Sequence, residues 1–381
     1  MDQIARQAEA FDRDCIRGMA PTAFLFKCGR RARLNDGGPR EFTYGYAELA
    51  AGGAPVEIIE EDELGLDRPW PAPFEKASTA AARLSGVSPR ALYFLDAAAE
   101  RLNRVDHVVA TTNTFGFALA SLHRLGRLRA HPIIFPMGLI EPGVSALRAR
   151  WLRTLFRSTT LAALSRAESA FLRSIAGDLD IRDFVFGPDL TFWRPADEPT
   201  DDVVLSIGND WNRDFATLVA AWRPEFPPLT IVTSLPVESA KPNVTVERGD
   251  WRAQLISDQA LRTRICRARL VVVPVRETMQ PSGQSAALQA MACARPVIMS
   301  ANRGLWDRAQ LDRHRACRLV PPGDADALAA AVAQLIADEA EAEAMGARAR
   351  RMLEVENVSS AAMAEQIARL ASASDKSKAA A

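Results

Sequence analysis

Residues 270–297 read LVVVPVRETMQPSGQSAALQAMACARPV: an apolar strand that stops at Pro274, a polar loop turning at Ser282-Gly283-Gln284, and a small-residue segment that halts at Arg295-Pro296. A continuous Val-rich run bounded by turn residues is the pattern of a strand buried on both faces of a parallel sheet. The segment after it, Ala, Met and Leu with almost no bulk, reads as a helix able to lie close against that sheet. Glycine lets backbone approach a bound group, and the free N–H groups and positive dipole end of a helix start suit an anion. The same residues admit a plainer reading, with Ser282 as an N-cap and the small side chains serving packing alone.

The unit repeats along the chain. Apolar runs alternate with amphipathic stretches in two series: TAFLFKC (22–28), PVEIIEE (55–61), HVVATT (107–112), HPIIFP (131–136), LAALS (161–165) and DFVFG (183–187), then VVLSIG (203–208), LTIVTS (229–234), NVTVER (243–248), LVVVPV (270–275), RPVIMS (295–300) and ACRLVP (316–321). Such alternation specifies parallel sheets wrapped by helices, so the expected fold is α/β, two Rossmann-like doubly wound domains facing across a cleft. Between the series lies GPDLTFWRPADEPTDD (187–202), a linker composition. The expected division is 1–186, 187–355, a helix over 356–371 returning toward the first domain, and a disordered tail over 372–381. Asp324 or Asp326 caps the first of the helices that run from 323. Ligands of such folds bind at the carboxyl ends of strands, so function is sought in the loops there.

Composition excludes several classes. The 381 residues leave room for two ordinary domains, and equal totals of 47 Lys plus Arg and 47 Asp plus Glu exclude a field that pulls the chain onto nucleic acid. Five scattered cysteines with no C-x-x-C pair argue against a disulfide framework or zinc site and for a reducing, cytoplasmic setting. No apolar run approaches the roughly 20 residues of a spanning helix. The patterns DLD (178–180) and DAD (324–326) do not form a metal–diphosphate clamp, the second being helix-start chemistry, so neither metal nor cofactor is expected. The amphipathic stretch over 2–18 has mixed charges, which favour packing or a partner helix over membrane insertion.

A second loop bears on function. In SIGNDWNRDFATLVAAW (206–222) a strand ends at Gly208, and Arg213 and Asp214 precede a helix with Phe215, Leu218, Val219 and Trp222 on one face. Arg213 there is either a cation aimed at phosphate or a surface residue paired with Asp210 or Asp214.

Together these segments resemble the family four glycosyltransferases, retaining enzymes of the two-domain glycosyltransferase B architecture. SIGNDWNRDFATLVAA is similar to their strand, basic loop and helix. VVVPVRETMQPSGQSAALQAMACARPVIMS is similar to their Pro-strand-loop, Glu-x7-Glu helix and Ala-Met-Ala-x-Gly-x-Pro-Val-Ile run, and CRLVPPGDADALAAAVAQLIADEAEAEAMGARARRMLE to their closing segment. The likeness runs from about 186 to 355, with FVFGPDLTFWRP resembling their linker. It implies that the second domain binds a nucleotide sugar and the first an acceptor. Arg213, in the loop of Gly208 and Asn209, then grips the donor diphosphate. The turn of Gln280, Ser282, Gly283, Gln284 and Ser285 holds the same group with its amides, and Gln289 takes the place of the second Glu, which bonds ribose, as a glutamine still can.

Two departures mark a subfamily with a Ser-Gly-Gln turn. Pro281 replaces the first Glu, leaving Glu277 or Gln280 to serve the transferred sugar, and Asn209 replaces the usual Arg. In the first half, KCGRRARLNDGGPREF resembles the family's glycine-rich loop, which places Gly37 and Gly38 near the donor, although a plain loop reads equally well. Thr111, Thr112 and Asn113 follow a strand and are acceptor candidates, with Asn113 also placed to cap the next helix; Glu141 is a further candidate, and Met137 stands where many relatives carry His. The activity implied is metal-independent transfer of a sugar from a nucleotide diphosphate donor to a hydroxyl of a saccharide or glycoconjugate, in glycan or polysaccharide biosynthesis, with Arg213 and Glu277 as catalytic candidates. The alternatives are a nucleotide-sugar epimerase or pseudo-glycosyltransferase of the same fold, or a non-catalytic nucleotide-sugar-binding protein.

Overall fold

The computed structural model describes residues 16–197, 199–249 and 256–378, so the stretch over 2–18 lies almost wholly outside the described residues. The chain divides into two compact units, Met1–Phe186 with Ser360–Ala381, and Gly187–Ser359.

Unit 1 holds strands β1 (Thr22–Phe26), β2 (Val56–Glu60), β3 (His107–Ala110), β4 (His131–Ile134), β5 (Thr160–Ala163) and β6 (Asp180–Asp183). They form one parallel sheet in the order β2-β1-β3-β4-β5-β6. Leu25, Val108, Ile134 and Leu161 from the strands meet Phe115, Leu119, Leu155 and Phe156 from the helices Asn113–Arg124 and Ala146–Phe156 in its core. The sixth apolar run is not the strand the sequence promises: Asp180–Asp183 pairs with β5, so only Asp183 of DFVFG lies in the strand. Its rings pack instead, Phe184 edge-on to Phe135 at 4.7 Å and Phe186 against Tyr44 at 5.9 Å.

The last helix, Ser360–Lys378, belongs to this unit. Met363, Ala364, Ile367 and Ala371 are fully buried, and Gln366 brackets Val185, donating Nε2 to its carbonyl (3.0 Å) and accepting its N–H at Oε1 (2.8 Å). The helix extends as far as Lys378.

Unit 2 holds β7 (Val204–Ile207), β8 (Leu229–Thr233), β9 (Val244–Arg248), β10 (Leu270–Val273), β11 (Val297–Ser300) and β12 (Arg318–Val320), one in each of the six expected runs. The order is β12-β11-β10-β7-β8-β9, all parallel. Sequence order reverses between β10 and β7, the switch point at which doubly wound sheets bind ligands. Asp324, not Asp326, caps the helix Ala325–Ala337, accepting from Ala327 N at 2.8 Å. The proline-rich segment from 187 is folded into this unit: Trp193 is buried, and Arg350 donates to the carbonyls of Trp193 and Ala292, both at 2.9 Å.

Candidate active site

The loops after β7 and β10 are zipped together by main chain. Arg213 and Val275 form an antiparallel bridge, Asp214 N donates to Pro274 O (3.1 Å) and Arg276 N to Asn212 O (2.8 Å). Asn212, which sequence reading left without a role, donates Nδ2 to Gln280 Oε1 (2.6 Å) and Ser282 Oγ (2.9 Å), fixing the turn of one loop to the other.

Arg213 is held inside this pair of loops at 4% exposure. Its Nε donates to Asp210 Oδ2 at 2.9 Å, while Nη1 is buried without a hydrogen-bond partner. Burial lowers its pKa from the ordinary arginine value and Asp210 opposes the change. An arginine stays charged in a protein, so an unpaired buried N–H there is costly until an anion meets it. The backbone makes room: a Cβ on Gly208 would collide with the guanidinium, and one on Gly283 would lie 3.3 Å from Nη1 and 2.6 Å from Val273 Cγ1. Arg213 is therefore paired with Asp210 at one nitrogen, buried and not on the surface, and has another nitrogen left over.

Gly283, at φ +77°, is the residue before the helix Gln284–Ala292, a left-handed conformation that needs glycine. Ser282 is thus not the N-cap; its hydroxyl is an acceptor for Asn212. The first amides of that helix, Ser285 among them, have no intrahelical acceptor by construction. Gln289 sits one turn further on the face of Ser285, buried at 5% exposure. Gln284 Nε2 and, in the loop after β11, Asn302 Oδ1 are also buried without partners. That loop lies against the turn, with Arg303 donating N (3.1 Å) and Nε (2.9 Å) to Glu277 Oε1. Glu277 is accordingly engaged in an exposed ion pair.

Asn209 is anchored by its side chain: Nδ2 donates one N–H to Gly249 O (3.0 Å) and Oδ1 accepts from Ser234 N (2.6 Å), which ties the loops after β7, β8 and β9.

In unit 1 the glycine pair has a local structural role. Gly38 N donates to Arg33 O and Gly37 N to Leu34 O, with Gly37 at φ +75°, which closes the helix Arg30–Asn35 by a Schellman motif and occupies both amides. Thr111 donates its hydroxyl to Leu25 O (2.6 Å), Thr112 caps the helix Asn113–Arg124 by accepting from Phe115 N, and Asn113 does not cap; it clasps Met137, donating Nδ2 to its carbonyl (3.0 Å) and accepting its N–H (3.1 Å). Each of these three polar side chains holds a contact of the fold, and Glu141 is exposed.

Beside that clasp lies a group the sequence did not single out. Glu168 is fully buried, its Oε1 accepts from Gly138 N (3.0 Å) and Leu139 N (3.1 Å), and Oε2 has no partner. Burial pushes its pKa up to about 7, against the pull of the two N–H groups and with the help of the Glu141 charge. Ser165-Arg166-Ala167-Glu168 has the spelling of a capping box, which reads as local helix chemistry and hides the long-range role.

Two doubly wound parallel sheets, with a buried arginine between the two loops at the switch point of the second, define a protein of glycosyltransferase B architecture. Residues 204–338 match the family described as Glycosyl transferases group 1, and the chain, carrying that domain, is a glycosyltransferase. The fold matches the sucrose-phosphate synthase of Thermosynechococcus elongatus at 21% identity and TM-score 0.68, over 95% of this chain and 100% of that one. It also matches Alr3699/HepE of Anabaena, solved with UDP and glucose, at 15% identity and TM-score 0.62 over 92% and 99% of the two chains. The α,α-trehalose 6-phosphate synthase of Burkholderia multivorans aligns at 11% identity and TM-score 0.64 over 94% and 99%. No curated protein matches the chain significantly in sequence.

Proposed function

We propose that the enzyme transfers a sugar from a nucleoside diphosphate donor to an acceptor hydroxyl with retention of configuration and without a metal ion, in the manner of family four. The observation that carries this reading is the buried, unpartnered Nη1 of Arg213 beside Gly283 and the first amides of the helix Gln284–Ala292. A diphosphate there satisfies the guanidinium and the amides at once. As the glycosidic bond breaks, negative charge grows on the departing diphosphate, and donors already in place stabilise it; removing one such donor costs roughly 3–4 kcal/mol. Gln289 binds the ribose. The leaving phosphate oxygen takes the acceptor proton, so no protein nucleophile is needed. Glu277 and Gln280 remain the candidates for the transferred sugar and Glu141 for the acceptor, with glycan or glycoconjugate synthesis as the setting.

Structures related in fold were solved with UDP and with UDP-glucose, so uridine diphosphate is the first nucleotide to test. At a hundred times its Kd it should add about 2.7 kcal/mol to the stability of the protein. A labelled donor should then be turned over in the presence of EDTA, with product of retained anomeric configuration by NMR. If neither uridine nor guanosine diphosphate raises the melting temperature, the donor assignment is wrong. Pro281, in place of a carboxylate, favours one second reading, an epimerase or pseudo-glycosyltransferase, which the same assay separates by its product.

A further inference from the structure

We infer that unit 1 docks on an anionic lipid surface through the outer face of the helices Ala72–Ser85 and Ala146–Phe156. In the first helix Ser78 alone is buried, so Pro73, Ala77, Ala80 and Leu84 form a bare stripe at helical spacing. Leu84 is 82% exposed. The second helix turns Leu152, Leu155 and Phe156 into the core and leaves Leu147 (79%) and Trp151 (39%) outside, one turn apart. The two helices are fastened at this place, Arg148 donating to Leu84 O (3.0 Å) and Trp151 Nε1 to Ser85 O (2.9 Å). Leu84, Leu147 and Trp151 therefore make one apolar patch, and exposed Phe74 stands at the other end of the stripe.

The charge around this patch is one-sided. Lys76, Arg83 and Arg150 are exposed on the two helices and have no ion-pair partner among the described residues. The helix Ala146–Phe156 carries no acid, and the acid of the other, Glu75, is paired with Arg90 at 3.1 Å. In a chain with 47 charges of each sign overall, such a local excess of cations beside exposed Leu and Trp is the pattern of a membrane-interface face. Pairing of two copies through this face would set cations against cations, which disfavours a dimer as its occupant. No described helix is long and apolar enough to cross a bilayer, so the contact is peripheral.

Flotation of the full chain with vesicles tests this. The protein should float with phosphatidylglycerol–phosphatidylcholine vesicles, and much less with phosphatidylcholine alone or in high salt. Arg83→Ala/Arg150→Ala should lower the bound fraction by about an order of magnitude, and Leu84→Glu/Leu147→Glu should reduce it to background. Val355→Glu, a change at an exposed apolar residue of unit 2, should leave it unaltered, and all three proteins should keep the wild-type melting temperature. The inference is overturned if the wild type stays in solution, if it binds neutral and anionic vesicles alike, or if the double variants float as the wild type does. It is overturned equally by a dimer in sedimentation that Leu84→Glu/Leu147→Glu dissolves while no variant affects flotation.

Discussion

Arg213 is structural at one nitrogen, and the proposed function rests on another. Because Asp210 already holds Nε, charge alone does not restore the site: Arg213→Lys should lose the fork that meets both Asp210 and a phosphate. Its kcat/KM should fall by two to three orders of magnitude, with the thermal shift by nucleoside diphosphate lost; near-normal kinetics would remove Arg213 from the mechanism. Gly283→Ala should destabilise unit 2 by about 1–3 kcal/mol, since a left-handed residue gains a methyl 2.6 Å from Val273, and urea titration measures it. Glu168 makes a prediction about pH. Its carboxyl titrates near 7 in the folded protein against an ordinary 4.5, so between these values the folded state holds a proton that the unfolded state has released. Stability from this group is therefore full below about pH 4.5 and is lost as pH rises to about 7, by about 3 kcal/mol. Glu168→Gln should flatten that part of the profile, and an unchanged slope in chemical denaturation at pH 5 and pH 8 would show that the carboxyl is not the cause.

At the scale of elements, the terminal helix depends on a glycine far from it in sequence. Gly45 lies under Ala364, and a Cβ there would come within 2.6 Å of its backbone. Gly45→Ala should lift the helix Ser360–Lys378, lowering the melting temperature by several degrees and opening a protease site near 360 that limited digestion reveals. The elements also show where local pattern misleads. DFVFG has the composition of a strand and DIRD does not, yet β6 is DIRD, because pairing with β5 and the aromatic pocket around Phe135 outweigh β-propensity. The pair Gly37-Gly38 reads as a loop near the donor or as a plain loop, and it also ends a helix, since the freedom of glycine at positive φ serves each of these purposes.

For the whole molecule, the two units differ in how the chain makes them. Unit 2 is continuous, Gly187–Ser359, whereas unit 1 is completed by residues that follow it. A fragment of 187–359 should unfold cooperatively, while 1–186 alone lacks Met363 and Ile367, whose burial contributes about 3–6 kcal/mol, and should melt far below the intact chain by circular dichroism. What the sequence by itself determined is the α/β class, the places of the strands of unit 2 and the two loops that meet at its switch point. Periodicity and turn chemistry are local, and a parallel sheet repeats them. Tertiary structure alone decided which polar groups are free to act. Arg213 keeps a nitrogen unpaired, Asn209 and Asn113 hydrogen-bond to distant loops, and Glu168 is buried against a turn 30 residues away. Those outcomes depend on strands brought side by side across long stretches of chain, where burial sets the cost of an unmet charge and no spacing in the sequence records it.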